Sequence, residues 1–193
     1  MKRITVFCGS SAGKNGKYSE QAFQLGKILA QKNIGVVYGG AKIGLMGAVA
    51  DGALSENGEV IGVIPDFLQT KEVAHTELSE MIVVESMHER KLKMHDLADG
   101  FIALPGGFGT MEELFEILTW GQLGLHQKPV GLLNVEGFYD PLLQMLSQMT
   151  EQNLLKEINR KMLLSDDEIS TLLYKMEKYQ APETPKWIRK TET

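Results

Sequence analysis

A Rossmann-like α/β fold, a doubly wound parallel sheet with helices on both faces in a single domain, is predicted by three observations. Short apolar runs alternate with amphipathic stretches along most of the chain. Three of those runs pass directly into turns rich in small residues: Gly9-Ser10-Ser11-Ala12-Gly13, the longer Gly39-Gly40-Ala41-Lys42-Ile43-Gly44-Leu45-Met46-Gly47, and Pro105-Gly106-Gly107-Phe108-Gly109. The run Gly100-Phe101-Ile102-Ala103-Leu104 is apolar almost throughout and bounded by turn residues, as in a strand covered on both faces.

The elements follow in order. Ile4-Thr5-Val6-Phe7-Cys8 predicts a strand near 3–8, and a helix follows near 18–32. Strands near 34–38 and 59–64 flank a helix near 44–57, and a fourth strand is expected near 81–84. Ser86 and Glu89 form a capping box, so a helix starts there and runs to about 98. After the strand near 100–104, Pro105 stops the ladder and a helix runs over 110–123. A strand near 129–134 and a helix near 138–152 follow. Beyond 153 the pattern loosens: Lys161-Met162-Leu163-Leu164 suggests a short strand and 166–179 a last helix. One domain is therefore expected over 1–180, with a flexible tail over 181–193.

Composition narrows the function classes. The chain has 193 residues, 43% hydrophobic and 23% charged, enough for a sizeable core. A net charge of −5 argues against a surface for nucleic acid or acidic membrane, so any anion must be bound locally. Cys8 is the single cysteine and cannot form an internal disulfide, consistent with a reducing cytoplasm. It reads as a core residue, since no histidine partner for a nucleophile is identifiable. The amino terminus enters a strand without a secretory segment, and no apolar run approaches about 20 residues, so a cytoplasmic protein is expected. His75, His88, His95 and His126 lack compact zinc spacing, and no metal is expected. The first turn has neither the Walker spacing nor the dinucleotide fingerprint, which points away from ordinary ATP or NAD use.

The most informative run is Leu104-Pro105-Gly106-Gly107-Phe108-Gly109-Thr110-Met111-Glu112-Glu113. Its glycines can take angles closed to other residues and let an oxyanion approach the main chain. The unpaired amides of the following helix then make a seat for a phosphate. On that helix Met111, Leu114, Phe115, Ile117 and Leu118 form a core face, while Glu112, Glu116 and Thr119 lie on the polar side. Glu113 sits at the margin. It reads either as an ordinary first-turn acid favoured by the helix dipole or as a shielded carboxylate whose proton affinity is tuned for chemistry. On the upstream helix Met87, Met94, Leu97 and Ala98 form an apolar stripe that also contains Arg90 and Lys91. Two cations on a buried face call for an anionic partner unless they snorkel to the edge.

Met87-His88-Glu89-Arg90-Lys91, followed by the run from Pro105 to Glu113, resembles the paired signature of the LONELY GUY (LOG) family, the cytokinin riboside 5′-monophosphate phosphoribohydrolases. The resemblance extends through Phe7-Cys8-Gly9-Ser10-Ser11, Tyr38-Gly39-Gly40, Gly44-Leu45-Met46-Gly47, Thr119-Trp120-Gly121-Gln122-Leu123-Gly124 and Lys128-Pro129-Val130-Gly131-Leu132-Leu133-Asn134. Family members were long labelled lysine decarboxylases, yet no lysine here is identifiable as a pyridoxal phosphate anchor. The resemblance implies hydrolysis of the N-glycosidic bond of adenosine 5′-monophosphate or its N6-prenylated form, giving free base and ribose 5-phosphate, with no cofactor. It makes Arg90 and Glu113 the catalytic pair. It implies substrate binding by Glu72, Arg90, Lys91, Gly106, Gly107, Phe108, Gly109, Thr110, Met111, Glu112, Glu113 and Thr119. It also implies a homodimer, for which Trp120, Leu123 and Leu125 offer apolar surface beyond the core of their helix, unless that segment simply caps its own sheet. Two other readings stay open, a noncatalytic carrier such as the molybdenum-cofactor proteins of similar fold, and a metabolite-binding protein with a vestigial cleft.

Overall fold

The computed structural model describes residues 1–14, 16–68 and 74–183. Seven strands form one sheet: β1 (Arg3–Phe7), β2 (Gly35–Tyr38), β3 (Val60–Pro65), β4 (Glu80–Val84), β5 (Gly100–Ala103), β6 (Val130–Leu133) and β7 (Leu163–Asp166). Their order is β4-β3-β2-β1-β5-β6-β7 and every pairing is parallel. The expected doubly wound sheet is therefore present, with a seventh strand formed two residues later than the sequence suggested.

The helices are α1 (Gly16–Gln31), α2 (Gly44–Leu54), α3 (Met87–Leu97), α4 (Phe108–Gln122), α5 (Asp140–Glu151), α6 (Glu157–Arg160) and α7 (Ile169–Lys178). The period-two alternation of the strands divides the core between two faces. Ile4, Val6, Val36 and Ile102 point to the side packed by α1, α2 and α7, whereas Val37, Val63, Phe101 and Ala103 point to the side packed by α3, α4 and α5. Thr5, fully buried among the latter, donates its hydroxyl to the Met94 carbonyl at 2.8 Å, so its one polar group is satisfied.

Element ends have local causes. α2 stops at Leu54, three residues before the expected end, because Asn57 takes the left-handed conformation (φ 55°) and the Gly58 amide turns back to the Ala53 carbonyl. α4 starts at Phe108 rather than Thr110, with Gly107 in the capping position. The short α6 was not foreseen, since four residues are too few to establish a period. Of the tail expected at 181–193, residues 184–193 lie outside the described residues.

α1 and α2 approach closely through paired glycines. A Cβ at Gly26 would overlap the Val49 carbonyl oxygen, and one at Gly52 the Phe23 carbonyl oxygen. Alanine ordinarily favours a helix over glycine by up to about 1 kcal/mol. Here overpacking, typically about 1–3 kcal/mol, outweighs that gain. Gly26→Ala is therefore expected to lower the urea midpoint rather than raise it, and an unchanged or higher midpoint would show that the helices can move apart freely.

Candidate active site

The chain order reverses between β1 and β5: the connection after β1 leads to α1 on one face, and that after β5 leads to α4 on the other. The loops part there and leave a crevice at the carboxyl ends of the strands. Backbone hydrogen bonds fix the walls. The Gly9 amide donates to the Pro105 carbonyl at 3.1 Å and the Leu45 amide to the Gly9 carbonyl at 3.0 Å, joining the three glycine-rich turns. Between them lies a cavity of about 340 Å³ whose walls include Cys8, Arg90 and Glu113 opposite residues 107–110.

α3 delivers Arg90. The Ser86 side chain accepts the Glu89 amide at 3.1 Å, and the Glu89 carboxylate accepts the Glu85 amide at 2.8 Å, one residue before the reciprocal partner of an ideal capping box. One turn into the helix, Arg90 is only 6% exposed. Its Nε donates to the Val63 carbonyl at 3.1 Å and its Nη2 to the Gly39 carbonyl at 3.2 Å, while Nη1 lies 3.8 Å from Met87 Sδ. The sequence calls for an anion beside this buried cation. The carbonyl oxygens of Val63 within β3 and of Gly39 just past β2 fill that need instead, an arrangement no periodicity reveals. Gly39 permits it, because a Cβ there would collide with Nη2 of Arg90.

Lys91 does find anions, within the protein. Its Nζ pairs with Glu112 at 2.5 Å and Glu116 at 2.8 Å, bridging α3 to α4. Burial acts to lower its proton affinity, but the two carboxylates outweigh that and hold it above the ordinary lysine range. Lys91 is not part of the cavity wall described here.

Of the two reasons the sequence offers for the glycine turn, unusual angles and an open approach to the main chain, the structure uses the second. None of Gly106, Gly107 and Gly109 has a positive φ, so unusual backbone angles do not explain them. Gly106 is required by packing, since a Cβ would overlap the Thr110 side chain. At Gly107 and Gly109 a Cβ would meet nothing within 4 Å. Their missing side chains leave the main chain at the start of α4 open to the cavity. Gly107 makes no side-chain cap, so the first amides of the helix keep their capacity to bind an anion.

Glu113 lies one turn into α4, half-buried at the cavity wall. Burial pushes its carboxyl up to about 7; Arg90 and Lys91 pull against this, while Glu112 and Glu116 reinforce it. Cys8 is buried in the same wall, and its thiol is pushed far above the ordinary range, mainly by burial and further by Glu113, which suits packing rather than nucleophilic attack.

Of the residues assigned from the sequence, Arg90, Gly107, Phe108, Gly109, Thr110, Glu112 and Glu113 share the cavity wall. Gly106 and Met111 support the turn and its helix from behind. Thr119 lies exposed in the last turns of α4, where its hydroxyl donates to the Phe115 carbonyl at 2.7 Å. Glu72 falls outside the described residues. The sequence does not single out Met46 or Leu68 as wall residues, for Met46 stands within a turn of small residues and Leu68 carries no polar group to mark it. A roomier cleft of about 580 Å³ lies beside β6 and β7, but Glu20, Glu136, Asp140, Asp166 and Asp167 wall it and would repel a phosphate.

Comparison with known proteins then decides the family. Residues 46–176 match the family described as "Possible lysine decarboxylase". The cytokinin riboside 5′-monophosphate phosphoribohydrolase LOG of Oryza sativa subsp. japonica is 47% identical over 178 residues, covering 92% of this chain and 74% of the relative. Its Arabidopsis thaliana counterpart of the same activity is 46% identical over 178 residues, covering 92% and 84%. The chain belongs to the LOG family. Solved structures share the fold: the molybdenum cofactor carrier protein of Chlamydomonas reinhardtii superposes with a TM-score of 0.68 at 19% identity, over 91% of this chain and 95% of that one. The molybdenum cofactor binding protein of Rippkaea orientalis gives 0.68 at 22%, over 92% and 96%. At such identities the likeness is one of fold. As for the decarboxylase description, no lysine among the described residues lines this cavity.

Glu113 carries a stability cost with a definite pH dependence. Its folded-state affinity, about 7, lies above the unfolded value of 4.5, so the cost is absent below about 4.5, grows with rising pH and is complete above about 7. Glu113→Gln is expected to stabilise the fold at pH 8 by up to about 3 kcal/mol and to change it little at pH 4. Denaturant titrations at the two pH values check this, and an equal effect at both would show that Glu113 is not held neutral by burial.

Proposed function

We infer that this protein hydrolyses the N-glycosidic bond of cytokinin riboside 5′-monophosphates, N6-prenylated forms of adenosine 5′-monophosphate, releasing the free base and ribose 5-phosphate. Family membership supports the reaction class, because the relatives above are named for it. One observation carries the assignment to this site: a proton-exchanging carboxylate and a buried guanidinium face an open glycine turn within one cavity.

In this mechanism the amides of residues 107–110 hold the 5′-phosphate. The remote phosphate then spends its binding energy on placing the sugar, so the nucleoside alone reacts poorly. Cleavage passes through an oxocarbenium-like state at the anomeric carbon, which the Glu113 carboxylate stabilises while it orients or deprotonates the attacking water. An affinity near 7 suits a group that must both carry charge and accept a proton at neutral pH. Arg90 has two donors engaged by carbonyls, and Nη1, set among the described residues against the weak acceptor Met87 Sδ, remains for the substrate. It either anchors the phosphate, orients Glu113 or offsets charge on the departing purine.

The single buried cysteine supports a reducing, cytoplasmic setting, and no helix among the described residues is long and apolar enough to cross a membrane. A homodimer is also proposed. Trp120 is partly occupied within its own subunit, packed edge-on against His95 at 5.4 Å, and Leu123 and Leu125 are partly buried. Leu92 on α3, 45% exposed, and Phe108 at the cavity rim, 97% exposed, offer better apolar surface for a partner beside the site.

Released base from AMP, prenylated AMP, GMP and CMP tests the activity. Glu113→Gln is expected to lower turnover by about 10²–10⁴-fold with the fold intact, and Arg90→Lys to cause a large loss because a point charge does not reproduce the planar fork. Near wild-type turnover in either variant would remove that residue from the mechanism. Light scattering at micromolar concentration addresses assembly: twice 21.4 kDa is expected, and 21.4 kDa would exclude the dimer.

A further inference from the structure

The two residues at the centre of the proposed chemistry come from different helices, and their sequence neighbours are bonded to each other. Arg90 is followed by Lys91 on α3, and Glu113 is preceded by Glu112 on α4. Lys91 grips Glu112 and, one turn further, Glu116. Its side chain is only 10% exposed, and those of Glu112 and Glu116 are 54% and 22% exposed. Glu116 depends heavily on this bridge, for its Oε2 is buried with no hydrogen-bond partner and the described bond of Oε1 is the one to Lys91. All three acids of the helix, Glu112, Glu113 and Glu116, thus share one cation on α3 besides Arg90.

We propose that Lys91 is a positioning residue, a strut between α3 and α4 that sets the Arg90–Glu113 spacing and neutralises Glu112 and Glu116, the carboxylates flanking Glu113 on its helix. The assignment resting on family resemblance puts Lys91 at the nucleotide instead; the geometry commits its ammonium to two carboxylates. The proposal rests on Glu113 being the working carboxylate of the reaction inferred above.

The charged and titratable groups around Glu113 define the expected response. Arg90 and Lys91 approach from α3, Glu112 and Glu116 from its own helix, and the Cys8 thiol from the end of β1. The thiol remains neutral through the working range because burial raises it far above the ordinary value. Removing the Lys91 charge leaves two uncompensated carboxylates beside Glu113, and like charges favour its protonated form. Lys91→Met keeps most of the stem while removing the charge, and it should move the Glu113 titration up by about one pH unit. Glu116→Gln removes one like charge and should move it down. The double variant Lys91→Met with Glu116→Gln should return it toward the wild-type position.

The test is the carboxyl titration of Glu113, followed by NMR in protein carrying ¹³C-labelled glutamate, with Glu113→Gln marking the resonance. The acidic limb of the kcat–pH profile for AMP is recorded alongside. Upward movement of both in Lys91→Met, with reversal in the double variant, is the expected result. A titration that stays in place while KM for AMP rises overturns the proposal and makes Lys91 a substrate ligand. Should Lys91→Met fail to fold, Glu116→Gln decides: a downward shift supports the strut and an unmoved titration overturns it. The NMR readout needs no turnover. If the wild-type protein released no base while the titrations moved as stated, the strut would stand and the inferred reaction would fall.

Discussion

Everything at the site depends on the burial of one guanidinium. Arg90 is nearly removed from water, and taking such a charge into protein costs several kcal/mol unless its donors are satisfied. The carbonyls of Val63 and Gly39 meet that demand because the register of β2 on β3 brings position 39, just past β2, level with Val63, and position 39 has no side chain. The Ser86 cap fixes where α3 begins, and therefore the turn on which Arg90 falls. Parallel-sheet topology, a helix cap and one glycine are thus coupled through a single side chain. Disturbing any of them would leave a charge in a place that tolerates it poorly.

From that seat the rest of the site follows. With α3 held against the ends of β2 and β3, Lys91 faces the first turns of α4 and meets Glu112 and Glu116. α4 is positioned by β5 and by the contact of Gly106 with Thr110, which leaves Gly107 and Gly109 facing the cavity unobstructed. Glu113 then lies in the same cavity wall as that open turn.

Much of this was legible in the sequence, and the failures are instructive. The alternating architecture and the positions of the first six strands along the chain could be read because short apolar runs bounded by glycine and proline have few other solutions. The capping box located α3 because its two side chains act within four residues. Arg90 and Lys91 were recognisable as buried cations, but not their partners: the Val63 carbonyl lies 27 positions away and Glu116 lies 25, and such pairings arise only from tertiary packing. The glycines of the turn offer both backbone freedom and open approach to the main chain in the sequence, and the structure uses only the clearance, at Gly107 and Gly109. β7 was blurred because only its first residue is buried and Ser165 and Asp166 break the apolar run, and α6 because a single turn of helix carries no period.

Arg90 and Glu113 show two different responses to burial, and the difference explains why both belong in the same site. A guanidinium cannot shed its proton under any ordinary condition, so its charge persists and the fold must surround it with acceptors. A carboxyl can take up a proton, so burial is met by a raised affinity rather than by a complete set of partners. His95 follows the same rule with opposite sign: burial, with nearby Lys128, holds its affinity down to about 4, and its ring packs neutral against Phe101. The fold therefore fixes the permanent charge rigidly and leaves the exchangeable one partly unsatisfied. A group whose proton is held in place by a full hydrogen-bond network would be stable but slow to exchange. Among the described residues Glu113 is governed by burial and neighbouring charges rather than by such a network, a property that a reaction needing one proton moved near neutral pH can use.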